Sequence, residues 1–435
     1  MADNLYFSRD TRVSMVIGDN AFELPVLDGF SFSQATNATE ITLNEFENSS
    51  NVSRRGRRMF NDSFAPAEWS FQTYIRPFKS GGAGSGGEHA SVHHHMVEEP
   101  LWNALAGSGA VGASGTALTA DGTDANIAFT NSNKVALDTF DLFFEMGSGK
   151  ASSTVYKIEG CVVNEVSIDF DIDGIATANW SGFGKIITEE TSMTTATKYE
   201  GTAAADTNNF IRNRLTDLTL TNDVFETTAN GAVSSSASVT LTAGSDLIKV
   251  GQAVFAAGTA VGTVSAISGT SLTLSGAVSI SNSAAIVFSN VGMTSSYSLT
   301  LTGGNITIGN NITFLTPETL GIVNQPLGHV TGTRSVSGNF TCYLNTPSSG
   351  ASSADLFEDI IESTSVITNS FDLTFTIGGT GNTPRVVANL NNCHLEVPTH
   401  SIDDIISLDT TFHALPTSVD AVDEIDFIFI GPTVT

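Results

Sequence analysis

Lysine and arginine are scarce in this sequence. They account for 18 of its 435 residues, against 45 aspartates and glutamates, and the formal net charge at pH 7 is −27. Because proteins contact nucleic-acid phosphates mainly through Lys and Arg, this balance argues against an open surface that binds DNA or RNA. Only 14% of the residues are charged. Ser, Thr, Gly, Asn and Ala are abundant instead, which is typical of short strands and tight turns.

Cysteines and long apolar runs are also scarce. Cys161, Cys342 and Cys393 are too few for a disulfide framework, and we expect buried free thiols. No apolar stretch is long enough to span a bilayer. The first residues lack the basic and apolar regions of a secretory signal, so we expect a protein made in the cytoplasm. The length allows two domains and an insertion.

Catalytic motifs are missing as well. The sequence has no nucleophile elbow, no CxxC pair and no HExxH motif, so we predict that the protein is not an enzyme. Residues 107–112 fit GxGxxG but follow a predicted helix, and residues 147–150 fit part of a phosphate-binding loop but precede Ala151 instead of Ser or Thr. We therefore predict no nucleotide cofactor.

Two segments resemble metal sites. Residues 169–174 match the opening of an EF-hand calcium loop, but Trp180 stands where that loop needs a bidentate carboxylate. A histidine cluster near two glutamates leaves a metal site open as an alternative to a solvated loop. The cluster consists of His89, His93, His94 and His95, and the glutamates are Glu88 and Glu98. We expect no metal at either segment.

The sequence repeats itself. Phe140-Asp141-Leu142 recurs as Phe371-Asp372-Leu373 at an offset of 231, and Phe7-Ser8-Arg9 matches Phe210-Ile211-Arg212 at an offset of 203, which also matches Phe22-Glu23 to Phe225-Glu226. We predict two tandem copies of one β-rich domain, covering residues 1–205 and, in two pieces, 206–226 and 291–435. Residues 227–290 interrupt the second copy. Their short alternating strands predict a small inserted β module at a hairpin tip, projecting from the surface.

Local patterns predict further elements. A Gly-Asp-Asn turn predicts a hairpin of residues 12–17 and 21–24. Acidic residues and proline at the start, with glycine after the end, predict one short helix per copy, at residues 98–105 and 354–361.

One predicted strand has an acidic side. Its apolar alternates should pack on the core while the other side meets water. The apolar residues are Val166, Ile168, Phe170 and Ile172, and the acidic ones are Glu165, Asp169, Asp171 and Asp173. In the second copy, Glu396 is the clearest acid in the corresponding region.

A long charged segment, residues 45–68, separates two strands of the first copy. It is too long for a simple hairpin loop, and loops of this length are usually functional. It concentrates four of the few basic residues, which are Arg54, Arg55, Arg57 and Arg58. We predict an electrostatic contact to an acidic neighbouring subunit, with a solvated loop as the alternative.

The order of these elements resembles, twice over, the tail tube (major tail) proteins of tailed phages and related tailed viruses. The shared order is a hairpin, a long arm, an aromatic strand at residues 69–75, a short helix and a closing strand pair at residues 160–182. The resemblance covers nearly the whole chain except the insertion. It implies a mainly β fold: two tandem tail-tube-type β-sandwich or barrel domains, each with one short helix, plus the inserted module.

The resemblance also implies a function. Such a protein is a structural virion component, made in the host cytoplasm, that polymerises into a hollow tail tube of stacked, trimeric and pseudo-hexameric rings for genome delivery. Its implied partners are other copies of itself, a tape measure protein, transiting double-stranded DNA without specific binding, and in some tails a sheath, but no membrane. The acidic strand side would line the channel and repel DNA, and the four arginines would reach the adjacent ring. The alternative is a cell-surface or adhesin-like β protein that binds glycans through the inserted module.

Overall fold

A computed structural model describes the greater part of the chain. The described residues are 5–41, 58–80, 94–106, 119–121, 124–129, 137–148, 152–193, 197–198, 208–222, 225–245, 248, 250–257, 259–289, 296–297, 299–320, 322–345, 352–362, 371–379, 383–416, 418–419 and 421–434. Strands predominate within these ranges, as the sequence predicts. No helix within them is long and apolar enough to cross a membrane.

The first half of the chain contains strands β1 to β13 and one α-helix. The strands are β1 (Thr11–Ile17), β2 (Asn20–Leu24), β3 (Ser31–Ile41), β4 (Arg58–Tyr74), β5 (Pro77–Ser80), β6 (His94–Met96), β7 (Thr119–Asp121), β8 (Asp124–Ala128), β9 (Phe140–Met146), β10 (Thr154–Asp171), β11 (Thr177–Gly184), β12 (Ile186–Glu190) and β13 (Thr197–Lys198). The helix is α1 (Glu99–Ala106).

The second half contains strands β14 to β31 and a second helix. The strands are β14 (Asp217–Asn222), β15 (Phe225–Thr228), β16 (Val233–Thr240), β17 (Ala253–Ala256), β18 (Thr259–Ser268), β19 (Ser271–Ile280), β20 (Ala285–Ser289), β21 (Ser296–Tyr297), β22 (Leu301–Gly309), β23 (Thr313–Leu315), β24 (Gly328–Val330), β25 (Ser335–Tyr343), β26 (Phe371–Ile377), β27 (Arg385–Leu395), β28 (Thr399–Ile402), β29 (Ile406–Ala414), β30 (Asp426–Ile430) and β31 (Thr433–Val434). The helix is α2 (Ser353–Glu362).

Eight strands from both halves form one continuous sheet, which we call the main sheet. Its order is β3-β4-β11-β10-β22-β25-β29-β28. Its strands alternate in burial, and β11 buries every second residue. Because successive side chains of a strand point to opposite faces, this alternation gives the sheet one apolar face and one polar face. The apolar face packs into the core, where Trp180, Ile306 and Phe412 are fully buried.

A second layer covers the apolar face of the main sheet. In the first half its order is β12-β10-β9-β1-β2-β13, and in the second half it is β7-β8-β30-β27-β26-β14-β21. The long strands β10 and β27 pass from this layer into the main sheet. Aromatic rings join the layers: the ring centroids of Phe32 and Phe144 lie 4.5 Å apart, and those of Phe375 and Phe412 lie 5.6 Å apart. The arrangement confirms the predicted mainly β sandwich or barrel.

The strand pairings of the two halves follow the same scheme. In the first half, β1 pairs with β2 and β9, β10 pairs with β9, β11 and β12, and β4 pairs with β3 and β11. In the second half, β14 pairs with β21 and β26, β27 pairs with β26, β29 and β30, and β25 pairs with β22 and β29. Each of these first-half strands therefore has a second-half counterpart with equivalent neighbours.

The register of the first strands differs from the sequence repeat. Met15 in β1 and Leu220 in β14 lie opposite the leucines of the repeated Phe-Asp-Leu motif, so the offset between them is 205. The predicted offset of 203 is wrong by two residues. It matched Phe22 with Phe225, but Phe225 lies in β15 opposite Phe288, in the inserted sheet. The counterpart of β2 is β21, because it pairs with β14 as β2 pairs with β1. In the sequence, β21 follows the inserted segment.

The inserted segment forms its own sheet around its own core. Its six strands have the order β15-β20-β17-β18-β19-β16. An isolated bridge between Ala229 and Leu241 brings the two outermost strands together. Its buried cluster, which includes Val254, Leu272 and Phe288, contains no residue of the main core.

Both predicted helices are present, each within one residue of its predicted ends. All eight residues of α1 are buried, because the helix packs between the two halves: the Trp102 ring lies 4.9 Å from Trp180 and 5.3 Å from Phe427. Helix α2 is less covered, and Ile361 is 44% exposed. At its start, hydrogen bonds donated by the backbone N–H and hydroxyl of Ser352 lower the pKa of Asp355.

Candidate functional surfaces

The polar face of the main sheet is wide, continuous and short of basic residues. Residues that lie opposite each other on neighbouring strands form rows across this face. In one row, Ser167 lies between Asn179 and Thr307. Its polar side chains are Ser31, Ser33, Glu68, Ser70, Gln72, Tyr74, Glu165, Ser167, Asp169, Asp171, Thr177, Asn179, Ser181, Asn305, Thr307, Ser335, Ser337, Asn339, Thr341, Tyr343, Thr399, Ser401, Ser407, Asp409, Thr411 and His413, and Phe183 lies in the row of Glu68. None of these described residues is lysine or arginine. The face therefore presents acids and mainly neutral polar groups.

The acidic strand predicted from the sequence is β10, and its alternation is as predicted from Glu165 to Asp171. Asn179 donates a side-chain hydrogen bond to the Asp169 carboxylate, and Ser167 donates another at 3.2 Å. Val166, Ile168 and Phe170 are buried.

The predicted alternation ends with β10. Ile172, predicted to be buried, is 46% exposed because it lies in the turn that follows β10. Asp173 lies in the same turn, where its Oδ1 is 3.5 Å from Nη1 of Arg214. Glu396 is exposed in the bend between β27 and β28, and its Oε1 lies 3.1 Å from Nε2 of His413 on the polar face.

The main sheet has two open edges. Among the described residues, β28 pairs only with β29, and β3 pairs only with β4. Apolar side chains are exposed beside the first of these edges: Val397 is 56% exposed and Ile402 is 76% exposed. An edge with unpaired backbone groups and exposed apolar side chains is a site where another strand can add.

A buried polar cluster surrounds the start of α1. Burial raises the pKa of Glu98 to about 7, and hydrogen bonds from the Trp102 indole and the Arg76 backbone oppose this shift. The His95 ring lies 3.0 Å from the Glu99 carboxylate. His94 accepts a 2.9 Å hydrogen bond from the backbone N–H of Gly431, near the other end of the chain.

The contacts of this cluster are made within the subunit and tie the start of α1 to β6 and to the end of the chain. His89 and His93, the other members of the predicted histidine cluster, lie outside the described residues. Within the part of the chain that the structure describes, no group of three or more His, Cys, Asp or Glu side chains is arranged to hold a metal ion. The three cysteines are buried, and burial raises their pKa values.

No protein-family model matches the chain. Tail tube protein pb6 of Escherichia phage T5 is 27% identical to it over 423 residues, which cover 93% of this chain and 70% of that protein. This similarity confirms the resemblance to the tail tube protein family that the sequence predicts. The chain is a structural component of a phage tail, and the virion location expected from the sequence is confirmed.

This tail tube protein carries two arms, one on each half. The first arm is the part of the β3–β4 hairpin beyond Gln34, and Met59 and Phe60 are exposed along it. Arg54, Arg55 and Arg57 lie outside the described residues, and Arg58 is the exposed first residue of β4.

The second arm, residues 310–334, contains the β23–β24 hairpin and was missed by the sequence analysis. It connects β22 to β25, as the first arm connects β3 to β4. A connection of this length between two strands is the sequence signal that would have identified it. Its residue Asn324 lies beside the first arm, because the N–H of Phe64 donates to the Asn324 carbonyl at 2.8 Å. Its exposed apolar residues are Leu315, Leu320, Ile322, Val323, Leu327 and Val330.

Proposed function

We propose that this tail tube protein polymerises through its main sheet into closed rings, and that the pairing between β10 and β22 is the template for the contact between subunits. Within one chain, this seam joins the two halves over seven facing residue pairs, from Glu165 with Gly309 to Asp171 with Gly303. Its apolar side is also joined, since the ring centroids of Phe170 and Phe375 lie 5.4 Å apart.

The two open edges are the counterparts of this seam. Strand β28 with the end of β27 corresponds to the last part of β10, and β3 corresponds to β22. Pairing β28 of one chain with β3 of the next repeats the seam between chains. Such a contact joins different surfaces on the two partners, so it either closes a ring or extends without limit. Closure pairs both open edges of the main sheet.

The matching pairing schemes support a tandem duplication. The sequence predicts a first domain of residues 1–205, a second of residues 206–226 and 291–435, and an inserted module of residues 227–290. Because Phe225 and Glu226 lie in β15 of the inserted sheet, we propose these domains with the module beginning at Phe225. Two equivalent domains per chain make a trimer a ring of six similar wedges. Negative-stain electron microscopy tests this proposal: hollow rings or tubes support it, and isolated monomers contradict it.

The polar face of the main sheet is the proposed channel wall. The second layer covers the apolar opposite face in each chain, so a closed barrel that keeps the second layer on its outside turns the polar face towards the lumen. Glu165, Asp169 and Asp171 then repel the DNA phosphates, with Asp173 and Glu396 at the rims of this face, so that DNA passes without binding. A tape measure protein and, in a contractile tail, a sheath are the further proposed partners. The role is structural and not catalytic.

Lysine at both Glu165 and Asp171 should make assembled tubes retain double-stranded DNA. The substitutions place cations on the proposed channel wall, and cations bind phosphates in a salt-dependent way. In a gel-shift assay, wild-type tubes should leave DNA unshifted at low salt, and variant tubes should retain it until the salt concentration rises. Asp19→Lys with Glu190→Lys is the matched control, because both residues are exposed away from the polar face. Equal retention by the two variants would contradict the channel assignment.

The two arms are the proposed contacts between stacked rings. Arg54, Arg55, Arg57 and Arg58 supply positive charge on the first arm, and exposed leucines supply apolar surface on the second. A single exposed ion pair contributes little, but several contacts per ring act together along a tube.

Glutamate at Leu320 should leave rings intact and stop them from stacking. Leu320 is 100% exposed in the chain, so the substitution costs no buried contact within the subunit. We expect single rings in electron micrographs and a single slow species in sedimentation velocity. Val250→Glu, at a 64% exposed site in the inserted module, is the control. Tubes of wild-type length from Leu320→Glu would exclude the second arm from the stacking contact.

The inserted module is the proposed exterior decoration. Replacing residues 225–289 by a short Gly/Ser turn should preserve rings and tubes while thinning their outer profile. The module has its own core, and its first and last strands, β15 and β20, pair with each other, so a short turn can join its two ends. Loss of folding in the remaining chain would show that the module is part of the second domain.

A further inference from the structure

The start of the second half is bound to a turn of the first half. The N–H of Ala176 donates to the Ile211 carbonyl at 3.0 Å, and the N–H of Asn213 donates to the Gly174 carbonyl at 3.1 Å. Between these bonds, Ile175 lies opposite Arg212 in an antiparallel bridge. The Arg214–Asp173 ion pair adds to the contact, and Ile211 is fully buried. Residues 211–213 therefore pair with the residues just before β11, on the same side as β4 and directly beyond the end of β4.

The corresponding segment of the first half is residues 5–10. In each half, a single 3-10 turn precedes the first strand: Ser8–Asp10, closed by the N–H of Thr11 to Ser8, and Asn213–Leu215, closed by the N–H of Thr216 to Asn213. The offset between these turns is 205, the same as between β1 and β14. It makes Phe7 the counterpart of Arg212 and Arg9 the counterpart of Arg214.

The corresponding turn of the second half joins β28 to β29. Where β4 ends, the N–H of Ile75 donates to the Ala176 carbonyl, and where β25 ends, the N–H of Leu344 donates to the Ile406 carbonyl at 2.9 Å. This match makes residues 404–406 the counterpart of residues 174–176, and Asp403 the counterpart of Asp173. Apart from this bond from Leu344, no described residue is hydrogen-bonded to the backbone of residues 404–406 on the side of β25. Ile405 is 60% exposed.

We propose that residues 5–10 of one chain bind the β28–β29 turn of the next chain in the ring. In this contact Phe7 lies opposite Ile405, Tyr6 accepts a backbone hydrogen bond from Ile406, and Arg9 pairs with Asp403. Leu5, Tyr6 and Phe7 are 61%, 46% and 44% exposed in the single chain. Arg9 lies in the docking segment beside Asp10, and Arg12 follows the segment, whereas Asp403 and Asp404 lie in the turn, so the charges favour the contact.

The proposal rests on the ring proposed above, because the two surfaces belong to opposite ends of the repeating seam. Residues 5–10 then form a strap across each subunit boundary, in addition to the pairing of β28 with β3. Each strap is fixed to its own subunit, since the N–H of Ser148 donates to the Asp10 carbonyl at 2.7 Å.

Cysteine cross-linking tests the strap. Opposite residues of an antiparallel bridge have Cβ atoms close enough for a disulfide. Phe7→Cys with Ile405→Cys should therefore give covalent dimers and trimers on a non-reducing gel after mild oxidation of assembled protein. Ile175→Cys with Arg212→Cys is the matched control, which should cross-link within one chain without raising its mass. The native cysteines are buried, which limits their reaction.

The outcomes separate the strap from the ring. Rings that form without covalent dimers, while the control pair does cross-link, would overturn the strap and leave the ring proposal standing. A wild-type chain that stays monomeric would overturn both. If the cysteine variants fail to assemble, charge reversal decides: Arg9→Asp and Asp403→Arg should each weaken assembly, and the double variant should restore it. Wild-type assembly of both single variants would also overturn the strap.

Discussion

Glutamate at both Val397 and Ile402 should abolish ring formation while leaving the subunit folded. Both side chains are exposed beside the β28 edge, so the substitutions remove no buried contact in the single chain. Charged side chains on an open strand edge prevent another strand from pairing there. We expect only monomers in native mass spectrometry, and a change in the free energy of unfolding within about 0.5 kcal/mol, as for other exposed sites.

The control for this experiment is Val250→Glu, which adds a charge at an exposed site on the inserted module. It should form rings as the wild-type chain does. If the Val397 and Ile402 variant still forms rings, subunits join through some other surface, and the internal β10–β22 seam is not their template. If it fails to fold, the edge is already part of the subunit's own core.

Alanine at Trp102 should destabilise the subunit by about 3–5 kcal/mol, the usual cost of removing a large buried aromatic side chain. Trp102 is fully buried between the two halves and contacts Trp180, Phe427 and Phe429. Its indole N–H also lies 3.4 Å from the Glu98 carboxyl, so the substitution leaves a buried carboxyl with one donor fewer. The measurement is the free energy of unfolding from chemical denaturation.

Phenylalanine at Trp102 is the matched variant, because it keeps most of the apolar contact and removes only the indole donor. It should destabilise the subunit less than alanine does. Equal and small effects of both substitutions would show that the two halves do not depend on α1 for their mutual packing.

The elements that the sequence predicts well are those with local signals. Both helices carry acids at their start, and the β10 alternation from Glu165 to Asp171 follows directly from the period of a strand. The inserted module is recognisable because its composition and turn spacing interrupt the repeat.

The features that the sequence does not predict depend on contacts between distant segments. The offset of 203 placed Phe225 in the second domain, although Phe225 pairs with Phe288 in the module, because a repeated Phe-Glu pair carries no information about its pairing partner. The seam between β10 and β22 joins residues far apart in sequence and leaves no local signal. The complete burial of α1 likewise depends on contacts with the second half. Helix α2 is of similar length but is less buried, and nothing in the local sequence distinguishes the two.

Electron cryomicroscopy of assembled tubes tests the central claim most directly, because it shows the strand partners on both sides of every subunit. We predict a continuous barrel in which β28 of each chain lies antiparallel to β3 of the next, with Glu165, Asp169 and Asp171 facing the channel. Rings whose subunits meet through other surfaces, or tubes that carry these carboxylates on the outer wall, would contradict the account.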